Sequence, residues 1–379
     1  MVHQKTEHTT TYLQQARATG KHGVEEACAL LDPDNELTLV FLSSDYEASA
    51  ASAYLSEYFS GRVIGCTTAG VVGADGFERH GVSAVGFSSG MFMSKTWCFD
   101  SLYDVSERIA EIQSYTEALS KQNTHGLNIF GVFLIDGLSK REEWLVAELF
   151  AVLGDIPIVG GSAGDDLEFQ ATRVLFDGEL RTGIATFTLI QAACPISIVK
   201  FQHHEPTAKR LVITSADPDE RLVHEINGMK AVDAYARLVG LDRESLAQNP
   251  QTFSTHPLML RAGDRYYLRS IQQIEEDGSL RFFCAIDQGL VLRLGTSGHM
   301  LEALRAELEK LDEKVGGAEL ILVFDCILRR MEFEQHGIDD AVGQLLSKHH
   351  VVGFSTYGEQ CDALHVNQTM VGVAFGRMP

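Results

Sequence analysis

Cations are scarce in this 379-residue chain: 31 Lys and Arg stand against 52 Asp and Glu, a formal net charge of −21. A surface of that sign repels phosphate backbones and anionic lipid, and no Lys/Arg run offsets it, so neither nucleic acid nor a membrane is expected as a partner. Long apolar runs are missing as well. The longest, such as LNIFGVFLI at 127–135, falls far short of a bilayer span. The polar opening MVHQKTEHTT precedes no stretch of signal-peptide length. The cysteines, at 28, 66, 98, 194, 284, 326 and 361, form neither a C-x-x-C pair nor a Cys/His zinc spacing. Covalent c-type haem attachment is excluded with them. Scattered thiols of this kind suit a reducing cytoplasm, where they serve as small core residues. There is also no Walker phosphate loop and no G-x-G-x-x-G after a strand.

What is present is one short phrase written three times: VIGCTTAG (63–70), IVGGSAG (158–164) and VVGFSTYG (351–358). Each copy has the same neighbours. An apolar run precedes it (37–44, 127–137, 318–326), followed by a stretch with helical spacing (45–59, 139–154, about 328–349). Asp45 is placed to cap the first helix, and Ser139 with Glu142 reads as a capping box for the second. A further strand-like run follows each copy (81–89, 182–190, 368–376). The unit is therefore strand, helix, short strand, Gly/Ser/Thr corner, hairpin, strand, and three occurrences of that order define an internal repeat. Between the second and third copies, residues 195–294 read as an antiparallel sheet with one helix near 230–239 and a turn at EEDG (275–278). The expected whole is α+β, with repeated strand-helix-strand units and an antiparallel insertion. Its expected parts are a polar N-terminal tail (1–23) and two domains (24–200 and 201–379).

In each phrase a glycine (Gly65, Gly160, Gly353) ends a short strand where the chain must bend without a Cβ. Small hydroxyl residues then hold the turn, Thr68 and Ser162 among them. A second glycine (Gly70, Gly164, Gly358) redirects the chain. Tight corners of a sheet are the commoner meaning of such residues. The functional meaning is three corners, with Gly161 in the second, converging on a ligand. Catalytic meanings are weaker. GGSAG at 160–164 fits G-x-S-x-G, but the nucleophile elbow needs a helix directly after its serine, and DDLEFQATRVLFDG reads as strand and turn. Cys66 as a nucleophile would be peculiar to one copy, since Gly161 and Phe354 stand at its equivalents.

Read with its surroundings, the third copy resembles the FIST family of sensory modules in signal-transduction proteins. ILVFDCILRR (321–330), VVGFSTYGEQ (351–360) and LHVNQTM (364–370) carry the likeness, together with RLVITSA, EINGMKAVDAYA, YYLRSI and CAIDQGLVLRLG. VIGCTTAG and IVGGSAGDDLEF match the N-terminal segment, and the likeness runs over about residues 24–375. The resemblance implies a cytoplasmic sensor rather than an enzyme. It is similar to the NosP-type proteins of bacteria, which bind haem b non-covalently, sense nitric oxide and modulate a histidine kinase of a two-component system or a cyclic-di-GMP enzyme. Other members are proposed to sense amino acids, so a small ligand without haem is the alternative. A homo-oligomer is compatible with either.

Haem would need an axial side chain in an apolar slot. His256, ahead of Pro257, and His204 are the first candidates, then His365 in LHVNQT and His203. The matched polar positions Arg329, Tyr357, Glu359 and Asn367 line a ligand site or tie the corners together. Glu359 with Arg329 or Arg330 would make a buried ion pair.

Overall fold

The computed structural model describes residues 5–9, 12–73, 76–122 and 127–378. The expected repeat is present three times, and its register is the same each time. A central strand (Leu37–Ser43, Asn128–Ile135, Ala318–Cys326) pairs in parallel with the strand that carries the phrase (Arg62–Thr68, Ile158–Ser162, Val351–Thr356). On its other side it pairs antiparallel with the closing strand (Val82–Phe87, Ala185–Ala192, Met370–Gly376). A leading strand that sequence reading did not assign to the repeat lies beyond that: Leu13–Ala18, Phe92–Phe99 and Ile196–Phe201. Two boundaries shift accordingly. Residues 13–18 of the expected polar tail are a sheet strand with Leu13, Ala16 and Ala18 buried. The expected domain break at 200/201 falls inside the strand Ile196–Phe201.

Alternation along the central strands shows where the core sits. Leu39 and Phe41, Val132 and Leu134, and Leu322 and Phe324 all enter one shared core. Their neighbours Val40, Phe133 and Val323 face the helices of their own repeats. A strand points successive side chains to opposite faces, so two apolar faces make a continuous apolar run. Three sheets thus surround a common interior, with helices outside. Phe41 meets Phe354 at 4.5 Å and Phe324 at 6.2 Å between ring centroids, joining the first repeat to the third.

The sheets are also interlocked by their hairpins. The hairpin after the first phrase (Val71–Gly73 and Gly76–Glu78) pairs with the third repeat's Val351–Thr356. The second hairpin (Val174–Phe176 and Glu179–Arg181) joins the first repeat's Arg62–Thr68, and the third (Glu359–Cys361 and Leu364–Val366) joins the second repeat's Ile158–Ser162. The exchange closes on itself, so no repeat completes its sheet alone.

The helices depart from expectation at their ends. Ala48–Tyr58 is capped by Glu47, whose carboxylate accepts from the amides of Ser49 and Ala50, rather than by Asp45. Glu142–Leu153 has no side-chain cap, because Glu142 turns instead to Arg221. The third helical stretch is two helices, Ile327–His336 and Asp339–Lys348, broken at Gly337 in the left-handed region. The insertion is an eight-stranded antiparallel sheet spanning His204–Ser297, packed on Ala231–Val239. Two short helices, Arg243–Gln248 and Thr252–Thr255, were not anticipated. No helix among the described residues is long and apolar enough to cross a membrane.

Candidate functional site

The three corners do converge, but on one another. Gly164 N donates to Thr67 O (3.0 Å), Ser162 N to Gly358 O (2.9 Å), and Ser355 N to Gly70 O (2.7 Å), so each corner is tied to both others. Thr68 Oγ1 donates to Gly70 O and Ser355 O. Thr68, Ser162, Ser355 and Thr356 are all buried. The corner residues are therefore structural rather than a ligand hollow. Gly65, Gly160 and Gly353 sit opposite Val40, Phe133 and Val323, where an added Cβ would collide with the facing carbonyl oxygen. Gly353→Ala is expected to lose about 2–3 kcal/mol in urea unfolding, since no rotamer relieves a backbone collision.

The matched polar residues split into separate buried networks. Tyr357 Oη receives the Leu167 amide (2.6 Å) and donates to Asp165, whose carboxylate also accepts the amides of Phe169, Gln170 and Ala171. That collar holds a loop in which Asp166, Leu167 and Phe169 all have positive φ. It also shows why GGSAG is no nucleophile elbow: a loop, not a helix, follows Ser162. Arg330 reaches from the third repeat to Ala69 O and Asp166.

Arg329, fully buried, donates through Nε to Asp325 (2.5 Å) and through Nη1 to His203 Nδ1 (3.1 Å). Phe201 and Phe333 cover the guanidinium at 4.8 and 5.2 Å. Glu359 does not pair with Arg329 or Arg330. Its carboxyl contacts the hydroxyls of Thr356 and Thr369, and burial without a cation pushes its pKa up to about 8. Asn367 is buried, with no hydrogen-bond partner for either amide atom among the described residues. Cys66 lies in the shared core, and burial drives its thiol well above the usual range, which removes the thiol-enzyme reading.

Three of the four candidate histidines are buried, each with a ring nitrogen in a hydrogen bond, and His204 Nδ1 and His365 Nε2 have no partner among the described residues. His203 has both ring nitrogens engaged: Nδ1 accepts from Arg329, which leaves the proton on Nε2 to donate to Glu332 (3.1 Å). His204 Nε2 faces Ser254 O at 3.0 Å and Glu332 at 3.5 Å. Burial holds both rings neutral, their pKa values lowered to about 2 and about 3. His365 is buried between Gln360 and Gly358, where not even a methyl group would fit. His256 alone is partly exposed, its Nδ1 beside the Thr255 hydroxyl. The atoms of His203, His204 and Glu332 approach closely enough for a metal. Arg329 argues against one, because a ligating imidazole ordinarily donates its second nitrogen to an acceptor.

The open feature next to this network is a cleft of about 720 Å3 between the third repeat and the insertion. Lys200, Arg265, Lys310 and Lys314 line it, with Tyr266 and Tyr267 on one wall and Phe201 among its apolar residues. Lys200 pairs with Asp362, and Lys310 with Glu307 at 2.8 Å. Arg265 and Lys314 are exposed, with no ion pair among the described residues. None of the four candidate histidines lines it. Sequence reading missed this cleft, because its cations come from three distant segments that share no local spacing. It also missed Arg221, which joins the insertion to Glu142 (2.6 Å) and Glu143 (2.7 Å) of the second repeat.

The chain matches the FIST N domain over residues 36–229 and the FIST C domain over residues 231–362. Among curated proteins none matches it. The collar built by IVGGSAGDDLEF and VVGFSTYG, and the buried network around ILVFDCILRR, show what these stretches do in the fold. With two matches that together span most of its length, the chain belongs to the FIST family, whose domains are signal-transduction sensor domains.

Proposed function

We propose that this FIST chain senses a small anionic ligand held in the cleft between Lys200, Arg265, Lys310 and Lys314, and passes its occupancy to a partner signalling enzyme. One observation carries the reading: in a chain of net charge −21, four cations and two tyrosines line one concave, partly apolar surface beside only Asp264, Glu307 and Asp362, which leaves Arg265 and Lys314 without an ion pair among the described residues. Clefts at domain junctions with a few convergent polar groups are the usual form of a ligand site. The family resemblance supplies the partner class, a histidine kinase or a cyclic-di-GMP enzyme. An acidic amino acid is one ligand of suitable charge. The haem and nitric-oxide reading rests on that same resemblance and on His256, the one of the four candidate histidines that is partly exposed.

Thermal unfolding of the full chain in the presence of glutamate, aspartate, citrate, nucleoside phosphates and hemin tests this. A ligand that binds only the folded state adds about 2.7 kcal/mol at a hundred times its Kd. At least one anion is expected to raise Tm, and the double variant Arg265→Glu, Lys314→Glu to abolish the rise without changing the ligand-free Tm. Stabilisation that survives this variant would place the ligand elsewhere. In the hemin arm, a histidine-ligated visible spectrum lost in His256→Ala and restored by no other change would favour the haem reading instead.

A further inference from the structure

We propose that two copies of this chain associate about a two-fold axis through the outer face of the helix Glu142–Leu153, with Arg141 of each copy paired to Glu148 of the other. The first ground is what that helix shows to solvent. Its inner face buries Leu145, Val146, Leu149 and Leu153 in the second repeat. On the outer side Trp144, Ala147, Phe150 and Ala151 are exposed, Trp144 at 39% and Phe150 at 38%. Single exposed apolar side chains are ordinary, but these follow one another along two turns, and residues 144–151 carry one charge, that of Glu148.

At the start of the helix the face continues into Tyr103, which is 74% exposed. The guanidinium carbon of Arg141 lies 4.2 Å from the ring centroid of Tyr103 and 5.9 Å from that of Trp144. Trp, Tyr and Arg are the residue types that most often anchor protein interfaces, and here the three are grouped at the surface.

Charge names the occupant. At a net charge of −21, copies of the chain repel one another over most approaches. Association needs a face that is nearly uncharged and whose few charges complement themselves. Arg141 and Glu148 meet that condition. Glu148 is exposed and Arg141 half-buried, and neither has an ion pair among the described residues. They stand seven residues apart, about two turns, so they share one row with Trp144 between them. A two-fold contact exchanges its pairs: where residue i meets j, j meets i. An axis perpendicular to the helix beside Trp144 makes the two helices antiparallel and sets each Arg141 opposite the other copy's Glu148. The ion pair is then made twice, on either side of the two tryptophans. The small side chains of Ala147 and Ala151 let the helices approach to a spacing of about 8–10 Å.

Sedimentation velocity of the full chain from about 1 to 100 μM, a range that spans a weak homodimer, tests the proposal. A reversible equilibrium between monomer and dimer is expected. Arg141→Glu and Glu148→Arg, each alone, set like charges face to face and are expected to weaken association at least about tenfold. The double variant Arg141→Glu, Glu148→Arg remakes the pair in reverse and is expected to return association to within about threefold of the parent. Neither side chain is buried, so all three variants should keep the parent's Tm. A chain that stays monomeric throughout overturns the proposal and leaves the face to a different protein. A dimer that neither single variant weakens is held by another surface, which overturns it as well. Loss in both single variants without recovery in the double one overturns the pairing of Arg141 with Glu148.

Discussion

Arg329→Met is expected to cost about 3–5 kcal/mol in urea unfolding. The guanidinium is fully buried, and it is the cation that faces Asp325 at 2.5 Å and donates to His203, which in turn donates to Glu332. Methionine keeps the contacts with Phe201 and Phe333 but leaves the Asp325 carboxyl, itself buried, without a partner for its charge. Burial already raises the pKa of Asp325 while Arg329 lowers it, so removing the cation pushes the carboxyl further toward its neutral form. The second replacement Asp325→Asn should therefore recover part of the loss, and the double-mutant cycle should show a coupling of about 1–3 kcal/mol. A loss under about 1 kcal/mol for the single variant would mean that the pair is solvated in solution.

Glu359 gives the opposite result. Its folded pKa is raised from 4.5 to about 8 by burial, with hydroxyls but no cation in contact. Between these two values the unfolded chain has lost the proton and the folded chain has kept it, so stability falls as pH rises across the window. Above it the accumulated cost is roughly 3–5 kcal/mol, at 1.36 kcal/mol for each pKa unit. Glu359→Gln is close to isosteric and can still accept from Thr369 and donate to Thr356. It is expected to leave stability near that of the parent at pH 5 and to raise it by roughly 3 kcal/mol at pH 9. His203 and His204 act at the other end. Their folded pKa values, near 2 and 3, lie below the ordinary 6.5, so the folded chain refuses protons that the unfolded chain takes up, and stability is lost as pH falls below about 6.5. Together the three groups place maximum stability near pH 6.5, where the unfolded histidines are half protonated. Urea midpoints measured from pH 4 to 9 for the parent and Glu359→Gln check both limbs, and identical profiles for the two proteins would overturn the assignment.

Much of this fold was legible because its signals are local. A run such as LTLVFLS is apolar at five of its seven positions, and it became a strand buried on both faces. Gly65, Gly160 and Gly353, expected to end their strands at a bend, lie within them instead, where a Cβ would meet the carbonyl oxygen of the facing strand. Helix ends were less legible, because capping depends on which nearby carboxylate is free. Glu47 took the role expected of Asp45, and Glu142 was drawn away by an arginine 79 residues downstream. The histidines illustrate a different limit. His203 and His204 looked like free ligands in sequence, and Arg329, Glu332 and Ser254 engage them in the fold.

By itself the sequence determined the repeated unit, the inserted antiparallel sheet and the family, since each depends on spacings of a few residues to a few tens. Only the tertiary structure decided which sheet receives each hairpin, that the corners close on one another, and that Lys200, Arg265, Lys310 and Lys314 share a cleft. A hairpin carries no local mark of the edge it will pair with, and a cation carries none of the cations it will meet. Both are settled when the three sheets close around their common core, a contact made between residues up to hundreds of positions apart.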